Sequence, residues 1–300
     1  MLPMHQSLPE MATRVGCGAS DAPRSRTPPV AQVGDSASPG ALHPTRHLGG
    51  APEASHSGEM AASLTLACHD GAMHIGLIGG IGPAATVAYY QRIVGRVRAA
   101  GGRLEMTIVQ ADLDELIANG RADDRPAQAR AYAKLIDQLR GAGAECAAIT
   151  SLGGHFCLRE TEPLASLPIV SGTAPVDTHL VASGYHRVGI LGTEIVMRSL
   201  LFGQLVRTEA VAPAGDLAAL GRTYQDVAVA GACTDEQRAE LFEAGRRMVE
   251  DRGAEAIVLA GTDLGLAFDG RDPGYPVVDA LDTHVALLAD LALGRATLPA

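Results

Sequence analysis

The sequence predicts an α/β protein made of two pseudosymmetric lobes, each built on a parallel sheet, with a cleft between them. Two observations indicate this fold class. From Met73 onward, short apolar strands that end in glycine alternate with helical patterns, which is typical of parallel sheets covered by helices on both faces. Three pairs of segments also repeat each other at a nearly constant spacing. The lobes are therefore expected to be Rossmann-like and to have arisen by duplication.

In the first half of the chain, short apolar runs predict strands, and two longer patterns between them have the helical period. The strand patterns are IGLIGG (75–80), LEMTIVQAD (104–112), AAITSLGG (147–154) and LPIVSG (167–172), and the helical patterns are ATVAYYQRIVGRVRAA (85–100) and RPAQARAYAKLIDQLRGAG (125–143). A loop is expected between the second strand and the second helix.

The second half follows the same order of strand and helix. Its patterns are a helix with DTHLVASG (177–184), the strand RVGILGT (187–193), a helix and further segments, the helix DEQRAELFEAGRRMVEDRGA (235–254), the strands AIVLAGTD (256–263) and YPVVDA (275–280), and a terminal helix.

The internal repeat is the most informative feature of the sequence. Two of its pairs are strands and the third is a helix, and their offsets of 113, 109 and 105 residues are almost equal. The pairs are IGLIGG (75) with VGILGT (188), AAITSLGG (147) with AIVLAGTD (256), and PVDTHLVA (175) with ALDTHVAL (280). A duplicated α/β lobe explains all three.

The repeat suggests where the domains begin and end. Residues 73–173 together with 276–300 are assigned to lobe 1, and residues 174–275 to lobe 2. Residues 1–72 are rich in Pro, Ser, Ala, Gly and His and lack any sustained period. They are expected to be disordered, or to reflect a start codon assigned upstream of Met73, and they are excluded from the fold.

Composition excludes several classes of function. A formal net charge of -10 disfavours binding to nucleic acid or anionic lipid, and no apolar run approaches the length that spans a bilayer. The five cysteines are odd in number and irregularly spaced, which indicates reduced thiols in a cytoplasm and no metal site. The only lysine, Lys134, lies in a helical pattern, so a pyridoxal-phosphate enzyme is disfavoured.

The glycine-rich strand ends predict a binding site for a small carboxylic acid. In an open parallel sheet, ligands bind beyond the carboxyl ends of the strands, where glycine permits close approach and positive φ. Two facing lobes would place four such ends around one cleft. The expected substrate-binding residues are Gly80, Gly82, Thr86, Gly153, Gly154, Thr193 and Thr262. Each turn also has a purely geometric explanation, and four turns on one rim favour a site.

GGIGPAA half-matches a dinucleotide fingerprint, with Gly80, Gly82 and then Ala85 where a third glycine would stand. Pro83 removes an N–H from the turn that would face the phosphate. Nucleotide binding is therefore a minor alternative.

Four segments together resemble the aspartate/glutamate racemase family over Met73 to Gly294. They are IGLIGGIGPAATVAYYQRI, the strand end before His155, AIVLAGTDL and PVVDALDTHVALLADLALG. The resemblance implies two pseudosymmetric lobes, a homodimer, and catalysis without pyridoxal phosphate or another cofactor. It also implies one cysteine from each lobe on opposite faces of the substrate Cα, one to remove the α-proton and one to return it.

This chain departs from the family at both cysteines. Aligned on His155, the first position holds Ser151, and aligned on Thr262 and Asp263, the second holds Gly261. After Thr193, where a further Gly-Thr pair is common in the family, this chain has Ile195 and Val196. Two-base racemisation by the family route is therefore disfavoured.

Ser151, His155 and Asp263 are the catalytic candidates. A serine hydroxyl becomes basic only with a partner that takes its proton, and His155 is the nearest candidate. The alternative is that the His155 ring only ties down the turn. Asp263 is a candidate acid, base or ammonium anchor, or else a helix N-cap.

Other side chains are expected to be structural or peripheral. Cys157 is expected to be a buried filler, and Cys146 to lie at the far end of its strand. His179 and His284 are assigned to the surface or to packing between the lobes, and Asp279 either closes the site or caps a helix.

Three functions remain open. The first is one-sided acid-base chemistry at Cα of an acidic amino acid or related small carboxylic acid, such as decarboxylation, elimination or isomerisation. The second is amino-acid racemisation by Ser151 and His155 with an unidentified second base. The third is an inactive relative that binds a carboxylate.

Overall fold

The structure is a computed structural model that describes residues 72–80 and 82–298. The expectations for residues 1–72 concern residues outside this part of the chain, apart from Ala72. The strands are β1 (Ile75–Gly79), β2 (Met106–Gln110), β3 (Cys146–Ile149), β4 (Arg187–Leu191), β5 (Glu209–Val211), β6 (Ala256–Leu259) and β7 (Val277–Asp279). The helices are α1 (Pro83–Ala99), α2 (Leu113–Ala122), α3 (Arg125–Gly141), α4 (Leu158–Thr161), α5 (Ala174–Ala182), α6 (Glu194–Arg198), α7 (Leu217–Ala230), α8 (Asp235–Arg252), α9 (Gly265–Phe268) and α10 (Ala280–Ala292).

The strands form two parallel sheets, as the sequence predicted. The first has the order β2-β1-β3, and the second has the order β5-β4-β6-β7. Every pairing between these strands is parallel. β1, β3, β4 and β6 are buried along their whole length or nearly so, because helices cover both faces. The predicted fold class, α/β with two lobes, is confirmed.

The two sheets repeat one arrangement. The repeated strands β1 and β4 lie in the middle of their sheets, and β3 and β6 lie beside them. Ile169 forms a parallel bridge with Ala147 at the edge of the first sheet, where β7 lies in the second. Glu145 and Glu255, just before β3 and β6, each accept a hydrogen bond from the backbone N–H of a histidine that precedes the neighbouring strand. The sequence repeat is therefore a structural repeat.

The repeated helices α5 and α10 each pack on the lobe opposite to the one that contains the preceding strand segment. α5 follows the edge of the first sheet, yet its Val176 and Leu180 pack with Val188 and Ile190 of β4. α10 follows β7 of the second sheet, and its apolar face packs on α1 and β1. The assignment of residues 276–300 to lobe 1 is wrong for β7, because this strand pairs with β6. The part of the chain that returns to lobe 1 begins with α10.

Two helix starts matter for the site. Pro83 occupies the first position of α1, where its missing N–H costs nothing and its fixed φ suits the helix. Gly82 precedes it in extended conformation and provides no side-chain cap. The loop expected after β2 contains a helix instead, α2, because the Asp112 side chain accepts a hydrogen bond from the Glu115 N–H and caps its start.

No helix in residues 72–80 and 82–298 combines the length and the apolar composition that a membrane crossing requires.

Candidate active site

Ser151 lies at the tip of the first lobe, directly beside the turn that follows β1. The strand ends meet because the Thr150 N–H donates to the Ile78 carbonyl oxygen at 3.0 Å. A Cβ on Gly80 would lie 2.6 Å from the Ser151 Cβ, so only glycine permits this approach. Gly80 therefore serves to seat Ser151.

The two lobes touch at Gly153 and Thr193. A Cβ on Gly153 would lie 3.2 Å from the Thr193 methyl group and 3.8 Å from the Ser151 hydroxyl oxygen. Thr193 caps α6, where its hydroxyl accepts a hydrogen bond from the Val196 N–H at 3.4 Å. The tips that carry Ser151 and Thr193 thus face each other across a narrow gap.

His155 is buried, and the backbone occupies both nitrogens of its ring. The Gly172 N–H donates to Nε2 at 2.9 Å, so the proton must be on Nδ1, which donates to the Ser151 carbonyl oxygen at 3.0 Å. Burial lowers the pKa of His155 to about 4, so the ring is neutral. No ring nitrogen is left for the Ser151 hydroxyl. The predicted Ser151–His155 base pair is not formed, and the structural alternative describes the observed contacts.

His284 belongs to the same buried layer. Its Nε2 donates to the Val170 carbonyl oxygen at 3.1 Å, and its Nδ1 accepts from the Tyr89 hydroxyl at 2.8 Å. Burial, and then the neighbouring His155, lower the pKa of His284 to about 3. The contacts of His284 lie within the first lobe and are neither at the surface nor between the lobes, whereas His179 is exposed, as one of its two predicted roles requires.

Asp263 extends from the second lobe to the start of α1 in the first. Its Oδ1 accepts a hydrogen bond from the Ala85 N–H at 2.8 Å, one of the free N–H groups in the first turn of α1. Its Oδ2 accepts from the Tyr224 hydroxyl at 3.4 Å. A Cβ on Gly82 would lie within 2.7 Å of both oxygens, so glycine is required there. Burial raises the pKa of Asp263 to about 6, although both donors oppose the shift.

The ring of Tyr224, from α7, occupies the space beside Gly261. A Cβ on Gly261 would lie 2.7 Å from Cζ and 3.0 Å from Cδ2 of this ring. A cysteine could not stand at position 261 unless Tyr224 moved. Next to it, the hydroxyl oxygen of Thr262 is buried without a hydrogen-bond partner within the described ranges. Thr262 thus adds a second buried hydroxyl beside Asp263, next to that of Tyr224.

Gly261→Ala is expected to destabilise the protein by about 1–3 kcal/mol, because the new methyl group overlaps the Tyr224 ring. Urea denaturation measures the change. Gly95→Ala is the matched control, since nothing lies within 4 Å of its Cβ, and it is expected to stabilise α1 by about 0.5–1 kcal/mol. In the double variant Gly261→Ala/Tyr224→Leu, the loss of stability should be smaller than the sum of the losses in the two single variants. Strict additivity would contradict the contact.

Thr86 and Gly154 have internal roles. The Thr150 hydroxyl donates to the Ile78 carbonyl oxygen, so the Thr86 hydroxyl donates to Thr150 Oγ1, at 3.0 Å. A Cβ on Gly154 would collide with the buried hydroxyl of Tyr132. Gln110, which the sequence analysis did not identify, donates to the Gly80 carbonyl oxygen at 2.9 Å and holds that turn.

Three cysteines fall in the described residues, and none of them stands at position 151 or 261. Cys157 is fully buried in the core of the first lobe, and Cys146 is fully buried in β3. Burial raises the pKa of each to about 11, so both thiols are protonated near neutral pH. Across the described residues, no group of three or more His, Cys, Asp and Glu side chains could hold a metal ion.

A cavity of about 320 Å³ lies beside the contact between Gly153 and Thr193. Its lining includes Arg121 and Arg198, of which Arg198 pairs with Glu194 at 2.6 Å. Ser151 and Asp263 are not part of the lining. The cavity therefore lies next to the strand tips, and its lining residues carry a net positive charge.

Two duplicated α/β lobes whose glycine-rich strand tips face each other define the class of two-lobed α/β proteins. Within it, a family model described as Asp/Glu/Hydantoin racemase matches residues 78–288, and the chain belongs to this family. The resemblance seen in the sequence is confirmed.

Solved structures support the same fold. A candidate Asp/Glu racemase from Yersinia pestis is 23% identical with a TM-score of 0.61, over 73% of this chain and 98% of that one. An aspartate racemase homologue from Pyrococcus horikoshii OT3 is 24% identical with a TM-score of 0.60, over 73% and 99%. The aspartate racemase of Picrophilus torridus is 18% identical with a TM-score of 0.58, over 73% and 93%. At these identities the likeness shows the fold alone.

Proposed function

We propose that this chain exchanges a proton at Cα of an acidic amino acid or a related small carboxylic acid, from one face and without a cofactor. The proposal rests on membership of the Asp/Glu/hydantoin racemase family combined with serine at position 151 and glycine at position 261, where the resemblance implies cysteines. The observation that carries it is Asp263, a buried carboxyl group in the cleft with a pKa of about 6. Such a group can accept and return a proton near neutral pH.

The surroundings of the tips favour an acidic ligand. Arg121 and Arg198 line the neighbouring cavity against a single carboxylate, Glu194. Guanidinium groups bind carboxylates in a fixed, bidentate geometry. The buried hydroxyl of Thr262 supplies one further donor. A compact acid with its Cα near Asp263 and its side chain toward the arginines fits this distribution of charge.

Inversion by two bases has less support. It would need a second base on the first lobe, opposite Asp263. Ser151 is the candidate on that lobe, but both ring nitrogens of its predicted partner His155 are hydrogen-bonded to the Ser151 carbonyl oxygen and the Gly172 N–H. A serine without a base does not remove a Cα proton. Exchange with retention of configuration is therefore the expected outcome.

The test is incubation of the protein in heavy water with the separate enantiomers of aspartate and glutamate, followed by NMR of the Cα–H signal and chiral analysis. Loss of the signal with retained configuration supports the proposal. Exchange with inversion would instead support a racemase. Saturable binding without exchange, measured by calorimetry, would make the chain a carboxylate-binding protein.

Asp263→Asn should lower the exchange rate by about 10²-fold or more, because the amide cannot accept the proton. Asp137→Asn, on the exposed face of α3, is the matched control and should leave the rate unchanged. Equal rates in the parent and Asp263→Asn would remove Asp263 from the chemistry.

A further inference from the structure

The place of the family's second cysteine is filled by a residue from another element. The ring of Tyr224 lies where a side chain at Gly261 would begin, and its hydroxyl lies 3.4 Å from Asp263 Oδ2. We infer that Tyr224 and Asp263 act as one proton-transfer unit that stands in for the side chain missing at position 261. This inference rests on the proposed function and adds a residue to it.

The contacts of the pair suit this role. Tyr224 and Asp263 are each only 4 % exposed, so their interaction is little screened by water. The Tyr224 hydroxyl donates to Asp263 Oδ2 at 3.4 Å, a long distance for an O–H donor. The other carboxylate oxygen is fixed by the Ala85 N–H at the start of α1. The carboxylate is therefore held in place beside the phenol.

The ionisation states set the direction of transfer. Burial raises the pKa of Tyr224, and the neighbouring Asp263 raises it further, so the phenol carries its proton at neutral pH. Since the phenol is not a base by itself, it can accept a proton only as it passes its own to the carboxylate.

The step balances within the pair and the substrate. As the Cα–H bond breaks, that proton goes to the Tyr224 oxygen, and the phenolic proton goes to Asp263 Oδ2. The electron pair of the broken bond stays on the substrate, delocalised into its carboxyl group. The negative charge thus moves from Asp263 to the substrate. The reverse step returns a proton, now exchanged with solvent, to the same face.

Thr262 lies beside the pair. It is 4 % exposed and adjacent to Asp263, and its hydroxyl interacts with the Tyr224 phenol but makes no well-formed hydrogen bond in the described part of the chain. An acid bound at the pair would offer this hydroxyl an acceptor.

The first test compares deuterium exchange in Tyr224→Phe and Tyr275→Phe, using the same enantiomers of aspartate and glutamate. Tyr275 is the matched control, because its hydroxyl only donates to the Phe242 carbonyl oxygen. Tyr224→Phe should lose about 10²-fold in exchange rate, and Tyr275→Phe should match the parent. If Tyr224→Phe exchanges as fast as the parent, the inference is overturned while the proposed function stands.

The second test needs no substrate. The Asp263 carboxyl carbon is followed by ¹³C NMR as a function of pH and assigned with Asp263→Asn. Tyr224→Phe removes a donor to the carboxylate, so the Asp263 pKa should shift upward. An unchanged titration would overturn the unit even if exchange is absent. An upward shift together with no exchange in the parent would reject both the proposed function and the proton-transfer role, and would leave only the hydrogen bond between the two side chains.

Discussion

His155→Ala is expected to destabilise the protein by about 2–5 kcal/mol, although His155 does not bind the Ser151 hydroxyl. The ring satisfies two buried backbone groups, the Gly172 N–H and the Ser151 carbonyl oxygen. Each group left unpaired costs about 1–3 kcal/mol. Urea denaturation at neutral pH measures the loss. A change below about 1 kcal/mol would mean that water or a backbone shift replaces both bonds.

Two further variants separate hydrogen bonding from charge. His155→Gln keeps one donor and one acceptor and should lose less stability than His155→Ala. His179→Ala, on the exposed face of α5, should change stability by less than about 0.5 kcal/mol. Because the folded pKa of His155 is about 4, below its ordinary 6.5, its contribution is present above pH 6.5 and is lost as the pH falls toward 4. His155→Gln should lack this acid sensitivity.

Asp263→Asn is expected to change how stability depends on pH. The pKa of Asp263 is about 6 in the folded protein and 3.8 ordinarily, so the folded state holds its proton more tightly. The contribution of the Asp263 carboxyl group to the free energy of unfolding is complete below pH 3.8 and is lost as the pH rises through 6. The difference corresponds to about 3 kcal/mol. Between pH 4 and pH 7, the parent should lose about that much stability relative to Asp263→Asn.

Other groups titrate in the same pH range, so the quantity to compare is the difference in free energy of unfolding between the parent and Asp263→Asn at each pH. Burial also raises the pKa of Asp279, to about 6, while His155 and His284 shift in the opposite direction. These groups are present in both proteins, and their contributions cancel to first order. A difference that stays constant from pH 4 to pH 7 would contradict the buried, shifted carboxyl group.

The fold was predictable because its signals are local. Buried parallel strands produce apolar runs that end in glycine, and α1, α3 and α8 have the helical period over more than four turns. The repeat added the two-lobed arrangement. The partner of β7 was not predictable, since pairing with β6 depends on contacts between distant segments. α2 was missed because only Asp112 marks its start.

The site was predictable as a set of strand tips, but not in its contacts. The positions of Ser151 and Asp263 at the ends of β3 and β6 follow from the parallel sheets. The direction of the His155 ring depends on Gly172, seventeen residues away. The spacing of Leu220, Tyr224 and Val227 indicates an inward face of α7. No sequence pattern, however, says that this face meets Gly261.

The glycines were correctly placed on the rim for a partly wrong reason. Positive φ was one of two expected reasons for glycine at these positions, but the φ angle is not positive at Gly80, Gly82, Gly153 or Gly154. Close approach, the other cause, explains all four, and the approaching atoms are side chains of this protein itself. The protein's own side chains therefore occupy the space that was predicted to hold a ligand.

The crossing of α5 and α10 between the lobes bears on how such a chain can be divided. A fragment ending at α5 would carry one complete sheet and a terminal helix whose apolar face has no partner on that sheet. Two identical fragments could each bury the apolar face of this helix on the sheet of the other fragment, as in a domain-swapped dimer. Fusing them end to end yields the present connectivity, so the single gene preserves the geometry of an intertwined pair. Neither half can be excised along the cleft as an autonomous folding unit.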